Sequence, residues 1–262
     1  MVGADLTVRP FAEGGRQPAF PISKQGPAET LHIVGVQGMS LIDFPGNISV
    51  VLFTGGCDFR CPNCQNPDLV QVTPETPRVD TETLWALLEE RKNWVDGVVI
   101  TGGEPLLQPH VAEFCAELRR RTNMPIKLDT NGHHPDALER LVNEGHLAYV
   151  AMDVKAGPAR YSEATGKLVN LDRILRSIEI LRQGKVTYEF RTTVVPGLVD
   201  EAAIEQIGKL IEGAPLWALQ QFQNRILLDQ SLRSRKPLLP EKIRALALRA
   251  EVYAKKVIVR GI

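Results

Sequence analysis

The sequence predicts an α/β protein, a partial (β/α)6 TIM-like barrel with a parallel sheet inside and helices outside. Three observations carry that reading. Short, β-branched apolar runs alternate with amphipathic helical segments. The connections between them are short, which implies a parallel sheet with right-handed crossovers. Each strand also ends, on its C-terminal side, in a polar or glycine-rich cluster: GGC, TGGEP, DTNG, DVK, RTT and QQFQ. A doubly wound sheet satisfies the first two observations. The third favours a barrel, whose site forms at the strand C-termini. Six units rather than eight imply an open side.

The elements follow in order. Residues 1–30 are rich in Gly, Pro and Gln and lack periodicity, so they read as a flexible leader or surface strap. Residues 31–262 read as one domain. ISVVLFT (48–54) is a strand apolar on both faces. TETLWALLEERK is a helix with Asp80 as its cap and Leu84, Leu87 and Leu88 as one stripe. GVVIT (97–101) is the second strand, and 108–121 is a helix that tolerates Pro109 near its start. IKLDT, LAYVAMDV, VTYEFRTTVV and LWALQQF are the next strands. Between them lie PDALERLVNEG, LDRILRSIEILRQG and DEAAIEQIGKLIEG, helices that stop at Gly145, Gly184 and Gly213. Residues 240–255 form a last helix and KKVIVRG a terminal strand. Trp85 and Trp94 read as packing.

Composition excludes several functions. Lys+Arg and Asp+Glu both number 31, so no general charge draws the 262-residue chain to nucleic acid or an anionic membrane. No run has transmembrane length, and no apolar h-region marks a signal peptide. Unpaired cysteines then fit a reducing cytoplasm.

Three of the four cysteines, Cys57, Cys61 and Cys64, fall in GGCDFRCPNCQN. The spacing C-x3-C-x2-C puts three soft donors on one loop, which suits an iron–sulfur cluster. A structural zinc site would want a second ligand pair at recognisable spacing, and none follows. Three unrelated buried thiols are the remaining alternative. Cys115, in a helical segment, is the one candidate for a fourth ligand. Without it, one iron stays open to a small molecule. The histidines form no set: His133 and His134 are adjacent in a loop and read as solvated, and His32 and His146 as structural or exposed.

With SLIDFPG before the cysteines, CPNCQNPDL through them, then TGGEP, LDTNG, MDVKA and VVPG, the chain resembles a radical S-adenosylmethionine (SAM) enzyme from about Ile33 onward. Its wording is closest to the activating enzymes of glycyl-radical proteins, and among them to activating proteins of anaerobic ribonucleoside-triphosphate reductase. The resemblance implies a [4Fe-4S] cluster on Cys57, Cys61 and Cys64, with the open iron chelated by the methionine amine and carboxylate of SAM.

It also implies a pocket. Gly102 and Gly103 let backbone approach the ligand, and Glu104 could pair with the ammonium; alone, GGEP is an ordinary turn. Asp129 and Thr130 match positions beside SAM, although Asp and Asn131 also shape turns. Asp153 and Lys155 share a strand face and match pocket positions; their alternative is a simple ion pair. Asp153 could join Asp129 in holding a monovalent cation. Arg191, inside an apolar strand, wants an anion, either the SAM carboxylate or Glu189. Val195 matches an adenine-contacting strand end. Gln221 and Gln223 could hydrogen-bond the nucleoside or the cation site. One departure stands out: many relatives carry an aromatic residue where this chain has Asn63, and Phe59 could compensate.

The implied reaction uses an electron from flavodoxin or ferredoxin to cleave SAM reductively. The resulting 5′-deoxyadenosyl radical takes a hydrogen atom from a glycine of the partner protein. No side chain is catalytic beyond the cluster and SAM. With one spare thiol, a second cysteine-ligated cluster is excluded. Two alternatives stand beside this reading: a radical SAM enzyme acting on a small molecule, as in 7-carboxy-7-deazaguanine synthase, and a non-catalytic iron–sulfur protein.

Overall fold

The computed structural model describes residues 22–23, 31–73 and 75–262. The expected leader therefore lies outside the described residues except at β1 (Ile22–Ser23). β2 (Ile33–Phe44) and β3 (Asn47–Thr54) form an antiparallel hairpin. Its turn is Pro45-Gly46, and Gly46 takes a φ of +77°, which glycine adopts without steric cost. β4 (Arg78–Val79) pairs antiparallel with β1.

Six helix–strand steps build the body. α1 (Thr81–Arg91) starts where the Thr83 N–H donates to the Asp80 carboxylate. β5 (Gly97–Gly102), α2 (Val111–Thr122), β6 (Ile126–Thr130) and α3 (Pro135–Asn143) follow. Then come β7 (Tyr149–Asp153), the short α4 (Tyr161–Thr165), α5 (Leu171–Arg182) and β8 (Thr187–Val194). α6 (Glu201–Leu210) is capped by Asp200, which accepts from the Ala203 N–H. β9 (Trp217–Gln221), α7 (Pro240–Ala250) and β10 (Val257–Arg260) complete the chain.

The main sheet runs β10-β9-β8-β7-β6-β5-β3-β2. Every pair is parallel except β2–β3. Among the described residues β2 and β10 pair with no further strand, so the sheet has two edges and the barrel is open, as the sequence predicts. None of the described helices is long and apolar enough to cross a membrane.

Alternation along each strand sorts the side chains. Val50, Leu52, Val98, Ile100, Ile126, Leu128, Val150, Met152 and Phe190 join Leu88, Leu118, Leu138, Ile178 and Ile204 of the helices in the large core. The other face holds a small apolar floor of Phe44, Val51, Phe53, Val99, Tyr149 and Ala151. Above that floor the inward residues turn polar, and there the site forms.

The structure departs from the sequence reading locally. β2 was not predicted, because its residues IVGVQGMSLIDF lack clean alternation. Pro105 starts a short 3-10 turn, and α2 begins only at Val111. α7 stops five residues before the expected 255. Trp94 is 71% exposed and packs on little, whereas Trp85 stacks on Phe114.

A Cβ at Gly208 would sit 2.3 Å from the Tyr253 ring, at the contact between α6 and the chain after α7. Gly208→Ala is expected to cost about 1–3 kcal/mol by overpacking. Urea unfolding measures this, and iron content after reconstitution should be unchanged, because the contact lies away from the strand C-termini.

Candidate metal and cofactor site

A cavity of about 510 Å³ opens at the C-terminal ends of the strands. That size suits a ligand of small-molecule dimensions. One wall carries sulfur. Cys57, Cys61 and Cys64 all line it, on the loop after β3. The loop is braced from several sides. Arg60 Nη1 donates to the carbonyls of Cys57 and Phe59 at 2.6 and 2.7 Å. The Arg60 N–H donates to the Thr165 carbonyl of α4 at 2.8 Å. The Asp229 N–H donates to the Pro62 carbonyl at 3.0 Å, and the Gln65 amide to the Gln223 carbonyl at 3.0 Å.

Burial pushes the Cys57 thiol up to about 12 and the Cys61 thiol to about 11, and raises Cys64 as well. Such thiols ionise when a cation supplies the missing positive charge. Lys155 opposes the upward shift at Cys61 and Cys64, but burial outweighs it. Three soft donors lining one cavity fit an iron–sulfur cluster. Cys115 is fully buried in the helix-side core and does not line the cavity.

The second element is the turn after β5. Gly102 takes a φ of +117°, and a Cβ there would lie 2.4 Å from the Thr54 nitrogen. At Gly103 a Cβ would lie 2.0 Å from the Gly56 carbonyl oxygen. Glycine is required at both positions because this turn presses directly on the cysteine loop. The Gly103 and Glu104 N–H groups donate to the Thr54 and Gly56 carbonyls at 2.8 Å each.

Glu104 is 0% exposed. Its Oε1 accepts from the Leu106 N–H at 3.0 Å and the Thr130 hydroxyl at 2.7 Å. Its Oε2 accepts from the Asn131 N–H at 2.7 Å. The expected ammonium partner is thus first a clamp between the ends of β5 and β6. Asn131 carries the connection onward: its side-chain amide donates to Asp58 Oδ1 at 2.9 Å and stands 4.0 Å from Cys57 Sγ.

The third wall is charged. Arg191 donates to Asp153 Oδ1 at 2.8 Å and to Asp129 Oδ2 at 3.0 Å. Lys127 pairs with Asp129, and Lys155 Nζ donates to Asp153 Oδ2 at 2.7 Å. Burial alone would raise both aspartates; Arg191, with Lys127 or Lys155, more than offsets it and holds both carboxyls below their ordinary range. Burial would likewise lower Lys155, and Asp153 reverses that. Glu189 is not the partner of Arg191. It binds Arg260 bidentately at 2.8 and 2.7 Å, deeper in the barrel.

The cavity thus gathers Cys57, Cys61, Cys64, Gly102, Gly103, Glu104, Asp129, Thr130, Asp153, Lys155 and Arg191. Val195 does not reach it; this residue is buried in the helix-side core. Gln220, rather than Gln221 or Gln223, lines the wall. Sequence reasoning missed the rim from β2, including Met39, Leu41, Ile42 and Asp43, together with Thr101 and Thr193. Strand alternation could have found Thr193, two residues after Arg191, and the Pro-Gly turn could have marked β2 as a hairpin arm. The histidine reading needs correction. His133 Nδ1 and His134 Nε2 stand 2.6 and 3.1 Å from the same Asp58 oxygen, and both rings are mostly buried.

A sequence profile of the Radical SAM superfamily matches residues 51–209. The chain belongs to the radical SAM superfamily. A Methanocaldococcus jannaschii protein, provisionally named a glycyl-radical enzyme activating enzyme, is 32% identical over 240 residues, which is 88% of this chain and 96% of the relative. Within the superfamily the chain belongs with that activating-enzyme family. The pyruvate formate-lyase-activating enzyme of Staphylococcus aureus is 29% identical over 65% of this chain and 70% of its own. Among solved structures, Streptococcus suis SuiB bound to S-adenosylmethionine superposes with a TM-score of 0.60 at 14% identity, over 79% of this chain and 48% of SuiB. Coproporphyrinogen III oxidase (HemN) of Escherichia coli gives 0.54 at 12% identity, over 77% and 52%. The chain spans about half of each, and the likeness is one of fold. Membership in this radical SAM family implies a [4Fe-4S] cluster and SAM as cofactors.

Burial sets the Glu104 carboxyl at about 7, above its ordinary 4.5. The folded state therefore binds the extra proton, and the stability it brings is complete below about 4.5 and lost as pH rises through about 7. Glu104→Gln is expected to abolish that slope. It should also cost about 1–3 kcal/mol at acid pH, because one backbone N–H loses its acceptor whichever way the amide turns. Urea unfolding of the metal-free protein across this pH range reads both effects.

Proposed function

We propose that this radical SAM protein is the activating enzyme of a glycyl-radical protein, most closely of anaerobic ribonucleoside-triphosphate reductase. The observation that carries the reading is the convergence on one cavity of three cysteines and a buried acid–base array. Cys57, Cys61 and Cys64 are the residues that would hold the cluster. When bound, the cluster and SAM supply a 5′-deoxyadenosyl radical that removes a hydrogen atom from a glycine Cα.

The chain's own residues bind and orient. Gly102 and Gly103 let the turn press directly on the cysteine loop beside the cavity. Glu104 fixes Thr130 and Asn131, and its Oε2, with one hydrogen bond, has a lone pair left for an ammonium. Arg191 and Lys155 offer cations to a carboxylate, while Asp129 and Asp153 keep them charged and aimed. A monovalent cation at Asp129 and Asp153 would share both carboxylates with Arg191. Val195 would act on adenine only through the strand end it supports.

The rim supports a protein substrate. Met39, Leu41 and Ile42 are 47%, 72% and 56% exposed beside the cavity mouth. Apolar side chains grouped at an opening suit contact with a partner surface. The electron donor fits the flavodoxin or ferredoxin class, and the setting is a reducing cytoplasm.

The test is anaerobic. Reconstituted, dithionite-reduced protein given SAM is expected to yield 5′-deoxyadenosine and a cluster resonance perturbed by SAM. Addition of the partner should then produce a glycyl radical. Alanine at Cys57, Cys61 or Cys64 should lose both cluster and product. Cys115→Ala should keep both. A cluster that forms but neither senses nor cleaves SAM would overturn the enzyme reading.

A further inference from the structure

Beside the cysteine loop, and outside the role assigned to it, three side chains converge. Asp58 follows Cys57, while His133 and His134 follow the β6 end. Their nearest ligand atoms lie within 4.8 Å of one another. The local chain explains the convergence. Gly132 turns the backbone with a φ of +75°, and the residue before Pro135 is kept out of the helical region, at φ −120°. Consecutive imidazoles thereby turn toward one carboxylate.

The three ligand atoms are grouped closely enough to face one ion. His133 Nδ1 and His134 Nε2 stand 2.6 and 3.1 Å from Asp58 Oδ2. Ligand atoms about 2.1 Å from a tetrahedral zinc are about 3.4 Å apart, so an ion would open these two contacts by about 0.3–0.8 Å. The two rings cross at 77° with centroids 5.7 Å apart, so neither blocks the other. Asn131 donates to the remaining Asp58 oxygen at 2.9 Å, and its own side-chain oxygen accepts from the backbone N–H of His133 at 2.8 Å, which fixes the carboxylate and the turn. The outer ring nitrogen of His133, Nε2, is buried without a hydrogen-bond partner. Phe59 packs on the His133 ring at 5.3 Å. Side chains 16–20% exposed leave an entry path.

We propose that Asp58, His133 and His134 form a second metal site, for a divalent first-row cation such as zinc. Two imidazoles and a carboxylate suit a borderline cation and leave further positions to water. The site is separate from the sulfur donors and independent of the proposed activase function. Its ion joins the cysteine loop to the loop after β6 and places positive charge one residue from Cys57.

The test uses cluster-reconstituted protein, incubated anaerobically with zinc chloride and desalted. The expected result is one zinc per chain with the iron content unchanged. The zinc X-ray absorption edge should show nitrogen and oxygen neighbours at about 2.0–2.1 Å and no sulfur shell near 2.3 Å. His134→Ala and Asp58→Asn should weaken zinc binding by more than the roughly 10–100-fold typical of losing an outer partner. No retained zinc, a sulfur shell, or equal retention by both variants would overturn the proposal. In the first case the three residues are a hydrogen-bonded cluster only. The wild-type measurement decides even if a variant fails to fold.

Discussion

A carboxylate without contact with water holds the working end of this barrel together. Glu104 accepts from its own turn through Leu106 and from β6 through Thr130 and Asn131. Its own N–H donates to Gly56, which precedes the first cysteine. The ends of β3, β5 and β6 are therefore set by one side chain and the backbone around it. Burying a carboxyl costs several kcal/mol unless its lone pairs are met. Three donors meet all but one of them here, the exception on Oε2. The arrangement tolerates no Cβ at Gly102 or Gly103, so the glycines and the acid are parts of one constraint.

The charged wall obeys a different rule. A buried ion pair adds little net stability, because desolvation cancels much of the attraction. Removing one member is expensive, since it strands the other. Arg191 sits between Asp129 and Asp153, and each aspartate has a lysine beyond it. The array therefore alternates in sign and polices itself. Such an arrangement is poorly explained as a device for stability, since apolar packing would serve better. It is well explained as a set of charges fixed in place for a charged ligand, where preorganisation lowers the cost of binding.

Much of this was legible in the chain. IKLDT placed Asp129 at a strand end from its apolar run alone, and DVK placed Asp153 and Lys155 on one face by the two-residue period. C-x3-C-x2-C put three thiols on one loop, and all three line the cavity. What stayed hidden depends on separation in sequence. The clamp that Glu104 makes stayed hidden because Thr130 and Asn131 lie 26 and 27 residues away. Arg191 had Glu189 as a neighbour in sequence, yet parallel register sets it opposite Asp153, while Glu189 meets Arg260. His133 and His134 looked solvated because Asp58 is 75 residues away. β2 was invisible since an edge strand with one polar side shows no continuous apolar run.

The cysteine loop carries almost no regular structure, yet it is tied at many points. Arg60 gathers two of its carbonyls, α4 takes the Arg60 N–H, and the chain after β9 holds Pro62 and Gln65. Gly166, at a φ of +65°, lets α4 end directly against Arg60. These bonds use backbone and side-chain groups that are not sulfur. The thiols are thus positioned by contacts that survive without any metal, and burial keeps them protonated until one arrives. Binding then exchanges protons for metal on a loop whose ordering entropy has already been met by folding. The same logic explains where the short α4 sits: Tyr161 and Ala164 anchor it in the large core, and it ends at Gly166 against the loop.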